Sequence, residues 1–405
     1  MSTSVLTSFT TSFLISSAAL LKSAQFAGLL VKHNPVVPIL ENLLLRIEPA
    51  KNGNGSLQVC SCDLEHFFTS KSLLIEGLGT TTATSVCVPA KQLTDLLRSL
   101  NAQPLTLRVD DSGPLPYLHV QAAVPHSLLP LGTGRAKYAL AGEPGSDFVR
   151  NVALGLPTSI VHVPAHLLLA GLATVLPVLS RDDLRPAMTG VYVEITKSFF
   201  RLVGTDGHRL VRFTKDDQHV LDGPAVSCII PRRAAEVLVK LLDRRENVEL
   251  VLLGNDLFVK MQQGQLRIRL LDEKYPDYEN VLPKDLPNVL TAHRLELLAG
   301  VKRCELFANK ITYQLVLRLN ESTCEIIGED KDFDNLATES VPGTFAGEAM
   351  TIGLNSRFLA GFLAAMPCQN VQLRMSNPNR AVVLQSADAE DGLLCLLMPV
   401  MLNNY

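Results

Sequence analysis

The 405-residue chain has no surplus of positive charge: 37 Lys and Arg stand against 40 Asp and Glu, for a formal net charge of −3. That excludes a protein that grips nucleic acid by overall charge, although a basic face can sit inside a near-neutral total. No apolar run approaches the roughly 18 residues a membrane-spanning helix needs. The opening "MSTSVLTSFTTSFLISSAALLK" has its first positive side chain at Lys22, after the apolar part, so the charged leader of an export signal is missing. A cytoplasmic protein is expected. The eight cysteines follow no regular framework and read as reduced thiols. Cys60 and Cys62 form a Cys-x-Cys pair, but no second pair or His pair stands at zinc spacing; two small strand residues on one face are expected. No Gly-x-Ser-x-Gly elbow occurs. Neither metal nor cofactor is implied.

What the chain does have is a globular composition, 47% apolar and 19% charged, at a length that suits two to four domains. It also repeats itself. "VPAKQLTDLLRSLNAQPLTL", "IPRRAAEVLVKLLDRRENVEL" and "LNSRFLAGFLAAMPCQNVQL" align on Pro89, Pro231 and Asn355, which lie 142 and 124 residues apart. Four, seven, eight and eleven residues later come Leu93, Leu96, Leu97 and Leu100, then Ala235, Leu238, Val239 and Leu242, then Leu359, Phe362, Leu363 and Met366. That spacing is one apolar face of a helix. Proline suits a first helical position and asparagine an N-cap. A short alternating strand follows each helix, at Leu105 and Leu107, Val248 and Leu250, and Val371 and Leu373.

A second helix opens each unit, in "SSAALLKSAQFAGLLV", "PAHLLLAGLATVLPVL" and "AHRLELLAGVKRCELF". "GRAKYALAGEPGSDF" and "GQLRIRLLDEKYPDY" match as well, which makes Asp147–Phe148 and Asp277–Tyr278 equivalent domain exits. The expected architecture is α+β: three copies of a unit with two helices and roughly eight short strands.

Two positions past each anchor stands a cation: Lys91, Arg233 and Arg357. A cation in the first helical turn opposes the helix dipole, at a cost of about 0.3–1 kcal/mol. Arg98, Lys240, Lys22, Lys302 and Arg303 add charge to these helices. Ordinary solubilising charge is one explanation; a phosphate backbone running past all three units is the other. No aromatics interleave with the cations, so the contact carries no base stacking and no sequence information.

"VGTDGHRLV", residues 203–211, poses a separate question. The three units place Asp63, Asp206 and Asp330 just after a strand, as a turn residue bonding its own backbone would be. Only the middle copy adds Gly207, His208 and Arg209. A hydrolase using Asp206 and His208 is the alternative reading, but a nucleophile is missing. A phosphate loop needs more glycines and a following helix, whereas Leu210 and Val211 continue as a strand. What remains is a glycine that admits another chain's backbone, flanked by a His and an Arg able to hydrogen-bond it.

"GTDGHRLV", "KYPDYENVLPK", the ending "LLMPVML", "NPVVPILENLLLRIE" and "VPAKQL" stand in an order and spacing that resembles the bacterial DNA polymerase III beta subunit family, the sliding clamps, from about residue 13 to 402. The resemblance implies three clamp domains, 1–147, 148–284 and 285–405, each with two helices packed on two antiparallel sheets. It implies a head-to-tail homodimeric ring around double-stranded DNA, without catalysis. The implied partners are a clamp loader, the replicative DNA polymerase and other proteins carrying a clamp-binding motif; a membrane is not among them. The implied partner-peptide groove comprises Met188, Thr205, Gly207, His208, Arg209, Leu210, Pro276, Val281, Leu396, Leu397, Met398, Pro399, Val400 and Met401. The implied DNA-facing residues are Lys22, Lys32, Lys91, Arg98, Arg181, Arg233, Lys240, Lys302, Arg303 and Arg357, with Lys32 standing in for a loop cation that aligns with Asn34. Tyr138, Leu306 and Phe307 are assigned to the dimer seam, with core packing as the even alternative. The chain departs from the family at Asn280, at Val400 and Met401, in the added Asn403–Asn404–Tyr405, and in its first dozen residues.

Overall fold

The apolar faces fold as helices in all three units. The computed structural model describes residues 10–33, 35–50, 53–78, 82–122, 136–149, 155–216, 219–321, 323–388 and 391–402. Asn34, most of the leading dozen residues and Asn403–Tyr405 lie outside them. The helices are α1 (Ser17–Gly28), α2 (Ala90–Ser99), α3 (Ala165–Val175), the short α4 (Pro186–Thr189), α5 (Arg232–Leu241), α6 (Arg294–Glu305) and α7 (Ser356–Ala365).

Leu93 and Leu97 on α2, Ala235 and Leu238 on α5, and Leu359, Phe362 and Leu363 on α7 are buried. Each large side chain among them contributes about 1.5–3 kcal/mol of burial. Leu96, Leu100 and Val239 sit at the margin of the same faces, half-buried. Asn355 caps α7, its side chain accepting from the Phe358 N–H at 3.2 Å.

Pro89 differs from expectation by one position. It is the N-cap of α2, with ψ 119°, and ends the strand Thr84–Pro89. The register Asn42↔Pro89 holds it extended, and a proline at a strand end has no N–H to lose. Pro231 likewise ends the strand Val226–Pro231, opposite Gly190.

By compactness the chain forms two bodies, residues 1–165 with 237–269, and residues 166–236 with 270–405. In the first, one antiparallel sheet runs in the order Glu143–Pro144, Thr84–Pro89, Asn42–Pro49, Gly55–Cys62, His66–Ser70, Gly264–Arg269, Asp256–Met261, Asn247–Leu253, Ser159–Pro164. The pairing of His66–Ser70 with Gly264–Arg269 joins residues far apart in sequence, Phe67 with Arg267 being 200 apart. A separate four-stranded sheet orders Thr10–Ser16, Pro104–Asp110, Tyr117–Ala122 and Lys137–Ala141. Helices α1 and α2 pack on each other.

In the second body a twelve-stranded sheet begins Val226–Pro231, Gly190–Ile195, Phe199–Thr205, Arg209–Asp216, then Leu393–Leu397, Val382–Ser386, Asn370–Met375 and Asn288–His293. It ends with Asn335–Ala346, Thr323–Asp330, Gln314–Asn320 and Met350–Asn355. Here α6 packs on α7. Residues 148–284 are shared between the two bodies, because sheet hydrogen bonding does not stop at the expected domain limits.

The domain-exit aromatics plug equivalent places. Phe148 is buried edge-on against Phe67 (6.1 Å), among Ile39, Leu40, Leu44, Cys60, Cys62 and Cys87. Tyr278 is buried with Val203, Leu210, Ile229, Tyr275 and Leu396. Cys60 and Cys62 therefore serve as core residues, and burial pushes both thiols above their ordinary range. None of the eight cysteines is bonded to another, and seven are buried.

Candidate functional site

The strands Phe199–Thr205 and Arg209–Asp216 meet at Asp206–Gly207–His208. Asp206 Oδ1 accepts the backbone N–H groups of His208 (3.0 Å) and Arg209 (2.9 Å). Thr205 Oγ1 accepts from Gly207 N and donates to the Arg209 carbonyl. In the other units Asp63 Oδ1 accepts from His66 N (2.8 Å) and Asp330 Oδ1 from Asp332 N (3.2 Å). The repeated aspartate is a turn residue in all three copies.

That geometry overturns the hydrolase alternative. The second carboxylate oxygen of Asp206 receives Nε of Arg209 at 2.9 Å, so Asp206 orients no imidazole, and His208 is exposed. Gly207 has φ +88°, a left-handed conformation that favours glycine; a β-carbon there would lie 3.0 Å from Arg185 Nη1.

Arg209 was expected to be able to hydrogen-bond an incoming chain. Within the chain its Nη2 donates to the Pro177 carbonyl (3.0 Å) and its guanidinium stacks on Phe358 of α7, 4.3 Å from the ring centre. It props the corner against two other segments.

The C-terminal stretch is hydrogen-bonded to the same corner. Leu210 pairs with Leu396 and Arg209 with Leu397; Met398 N then donates to the His208 carbonyl at 2.9 Å. Val400 N donates to the Gly353 carbonyl (2.8 Å), and a β-carbon on Gly353 would lie 2.5 Å from the Val400 oxygen. Leu396 and Leu397 are buried and support this surface from beneath. Val281 (51% exposed), Met398 (40%) and Met401 (66%) are its open apolar members. Pro276, Pro399, Val400 and Met188 are half-buried, and Thr205 is buried. Met188 is anchored in α4, its carbonyl accepting from Ser180 N at 3.0 Å.

Beneath these residues lies an aromatic group the sequence reading did not single out. Tyr192 and Tyr275 stack at 4.6 Å with their planes 13° apart, and Tyr278 meets both edge-on. The Tyr278 hydroxyl accepts from Arg201 (2.9 Å) and donates to Glu194 (3.1 Å); burial pushes it up to about 12. The Tyr-x-x-Tyr of residues 275–278 was the available signal. Arg185, beside Gly207, was also missed.

The expected DNA-facing cations fall into distinct environments. Lys91, Arg181, Lys240 and Lys302 are exposed, and Arg233 is half-buried. Lys22 lies 5.8 Å from the Phe26 ring. Lys32 stands 4.0 Å from the buried Asp63 carboxylate, and Arg98 pairs with Asp95 at 3.3 Å. Arg303 is clasped by Glu339 through two hydrogen bonds. Arg357 approaches Glu305 at 3.7 Å while stacking 3.5 Å from the Tyr313 ring centre.

Tyr138 (36% exposed), Leu306 (69%) and Phe307 (42%) are at the surface of the single chain, which removes the core-packing alternative. Ile311, Phe333 and Leu336 of the same C-terminal unit are exposed as well. Among the described residues no helix is long and apolar enough to cross a membrane, and no group of three His, Cys, Asp or Glu side chains could hold a metal ion.

Three domain models of one family match the chain in order: the DNA polymerase III beta subunit N-terminal domain at residues 11–119, its central domain at 164–277 and its C-terminal domain at 279–401. The chain belongs to the DNA polymerase III beta subunit family. The beta sliding clamp of Pseudomonas putida KT2440 is 26% identical over 399 residues, covering 96% of this chain and all of that one. The beta sliding clamp of Escherichia coli K12 is 25% identical over 400 residues, with the same coverage. The crystal structure of the Pseudomonas aeruginosa sliding clamp with ligand superposes with a TM-score of 0.85 at 24% identity, across 97% of this chain and all of that one. The Thermotoga maritima beta subunit gives 0.81 at 18%. The fold is thus the three-domain sliding clamp, and the beta subunit is a non-catalytic part of its polymerase.

Proposed function

We propose that the chain is a cytoplasmic processivity factor: two copies close head-to-tail into a ring around duplex DNA and tether the replicative polymerase to it. The domains would be residues 1–147, 148–284 and 285–405. A ring held on by closure needs only weak phosphate contacts, which agrees with a net charge of −3. The exposed cations of the paired helices, Lys91 foremost, would supply them.

Polymerase, clamp loader and other motif-bearing proteins would dock on the surface formed by residues 205–210, 276–281 and 396–401. One observation carries that assignment: exposed Val281, Met398 and Met401 belong to two of these segments, and a buried residue of each of the three, Leu210, Tyr278 and Leu396, joins one core cluster. An apolar peptide laid there would bury surface that water now covers. Arg185 would border the entry at Gly207.

The test of encirclement is retention on DNA. Once loaded, the protein stays on closed circular duplex and is lost when the circle is cut; retention that ignores linearisation refutes the ring.

A further inference from the structure

Seen by their ion pairing, the cations on the helices are unequal. Lys91 sits in the first turn of α2, where the positive end of the helix dipole disfavours it, and no acidic residue shares that turn. Arg357 occupies the matching place in α7 but has internal compensation: Glu305 at the end of α6 lies 3.7 Å away, and the Tyr313 ring faces its guanidinium at 3.5 Å. Arg303 lies in the last turn of α6, where a cation complements the dipole, and Glu339 of the strand Asn335–Ala346 meets it through both carboxylate oxygens.

We propose that Glu305 and Glu339 occupy the phosphate-binding capacity of Arg357 and Arg303, so that these arginines clasp α6 to α7 and to its sheet while the two carboxylates set how weakly the protein holds DNA. The inference rests on the reading of the paired helices as DNA-facing. A carboxylate and a phosphate compete for the same donor edge of a guanidinium: Glu339 already holds the Nε–Nη2 edge of Arg303, and Glu305 stands beside Nε of Arg357. Glu339 is the harder of the two to displace: its hydrogen bonds from Arg303 hold the carboxyl below its ordinary range, and its side chain is 28% exposed. Arg357 is held by a longer ion pair but gains the ring contact on its other face. The chain would thereby carry its own competitor for the DNA backbone at two of its cations, which favours sliding over holding.

The experiment is a titration of the full-length protein with a short fluorescent duplex at several salt concentrations. Lys91→Ala should weaken binding and flatten the dependence of log affinity on log salt by about 0.9. The double variant Arg303→Ala/Arg357→Ala should bind as the parent does. Glu305→Gln/Glu339→Gln should bind roughly five- to tenfold more tightly, with a slope steeper by about 1.8 as two further phosphates are engaged. Thermal melts of each variant establish folding, and Glu305→Gln alone, which leaves the Glu339 clasp in place, should show about half the gain in slope. A loss in the arginine pair as large as that at Lys91, or no gain in the glutamine variants, overturns the inference alone. Unchanged binding in Lys91→Ala overturns the DNA-facing reading and this inference with it.

Discussion

The Nε of Arg209 donates to Oδ2 of Asp206 at 2.9 Å, and both side chains are less than one-fifth exposed. The aspartate that a catalytic relay would need is occupied on every side: two backbone N–H groups on one oxygen, the guanidinium on the other. Asp206→Ala should therefore destabilise the protein by about 1–3 kcal/mol, since it leaves half-buried donors without acceptors. Urea unfolding measures this. His208→Ala should change stability by under about 0.5 kcal/mol, because its side chain is exposed. A stable Asp206→Ala protein would refute the structural role.

The proposed partner surface can be tested without disturbing its supports. Met398→Glu and Val281→Glu place a charge on exposed apolar positions. Either should weaken a hydrophobic clamp-binding peptide at least tenfold in a fluorescence titration while the melting temperature holds. A truncation is informative only if it begins after Leu397. Removing Leu396 and Leu397 deletes two buried leucines of a central strand, at about 2–5 kcal/mol each. Unchanged peptide affinity in both glutamate variants would send the docking surface elsewhere.

The exposed apolar residues after α6 lead to a third expectation. In solution the mass should be about twice 44.1 kDa. Phe307→Arg, at a site 42% exposed in the single chain, should shift sedimentation toward one copy without lowering the yield of folded protein. A dimer that survives Phe307→Arg and Leu306→Arg together would exclude this seam.

His66 supplies a pH dependence. It is only 1% exposed. Burial pulls it below its ordinary value, reinforced by Lys32 and opposed by Asp63 and Glu65. The unfolded chain then binds the proton more readily than the folded one. Stability is fully present above the unfolded value of about 6.5 and is lost as pH falls from there through the folded value. Melting temperature should drop as pH falls below about 6.5, and His66→Phe should flatten that part of the profile. An unchanged slope in the variant would place the titration on another group.

Much of this architecture was legible because helical spacing reports which face is buried, as at Leu93 and Leu97 or Leu359 and Leu363. The repeated aspartates were legible for a related reason: a turn that bonds its own backbone is local. The fate of Arg209 and Arg357 was not. Phe358 stacks on an arginine 149 residues away, and Glu305 meets one 52 residues away, so no local pattern distinguishes a committed cation from a free one. Pro89 was placed one residue off because the strand register, not the residue's helical preference, holds its backbone extended. The tyrosine stack under the proposed docking surface needs Tyr192, 83 residues before Tyr275, and periodicity cannot supply that partner.

The ladder between His66–Ser70 and Gly264–Arg269 has a consequence for anyone dissecting the molecule. A fragment ending at residue 147 would keep the first of these strands and lose the second, presenting a raw row of amide and carbonyl groups to solvent. Such a fragment is expected to stick to its neighbours edge to edge instead of behaving as a free-standing module.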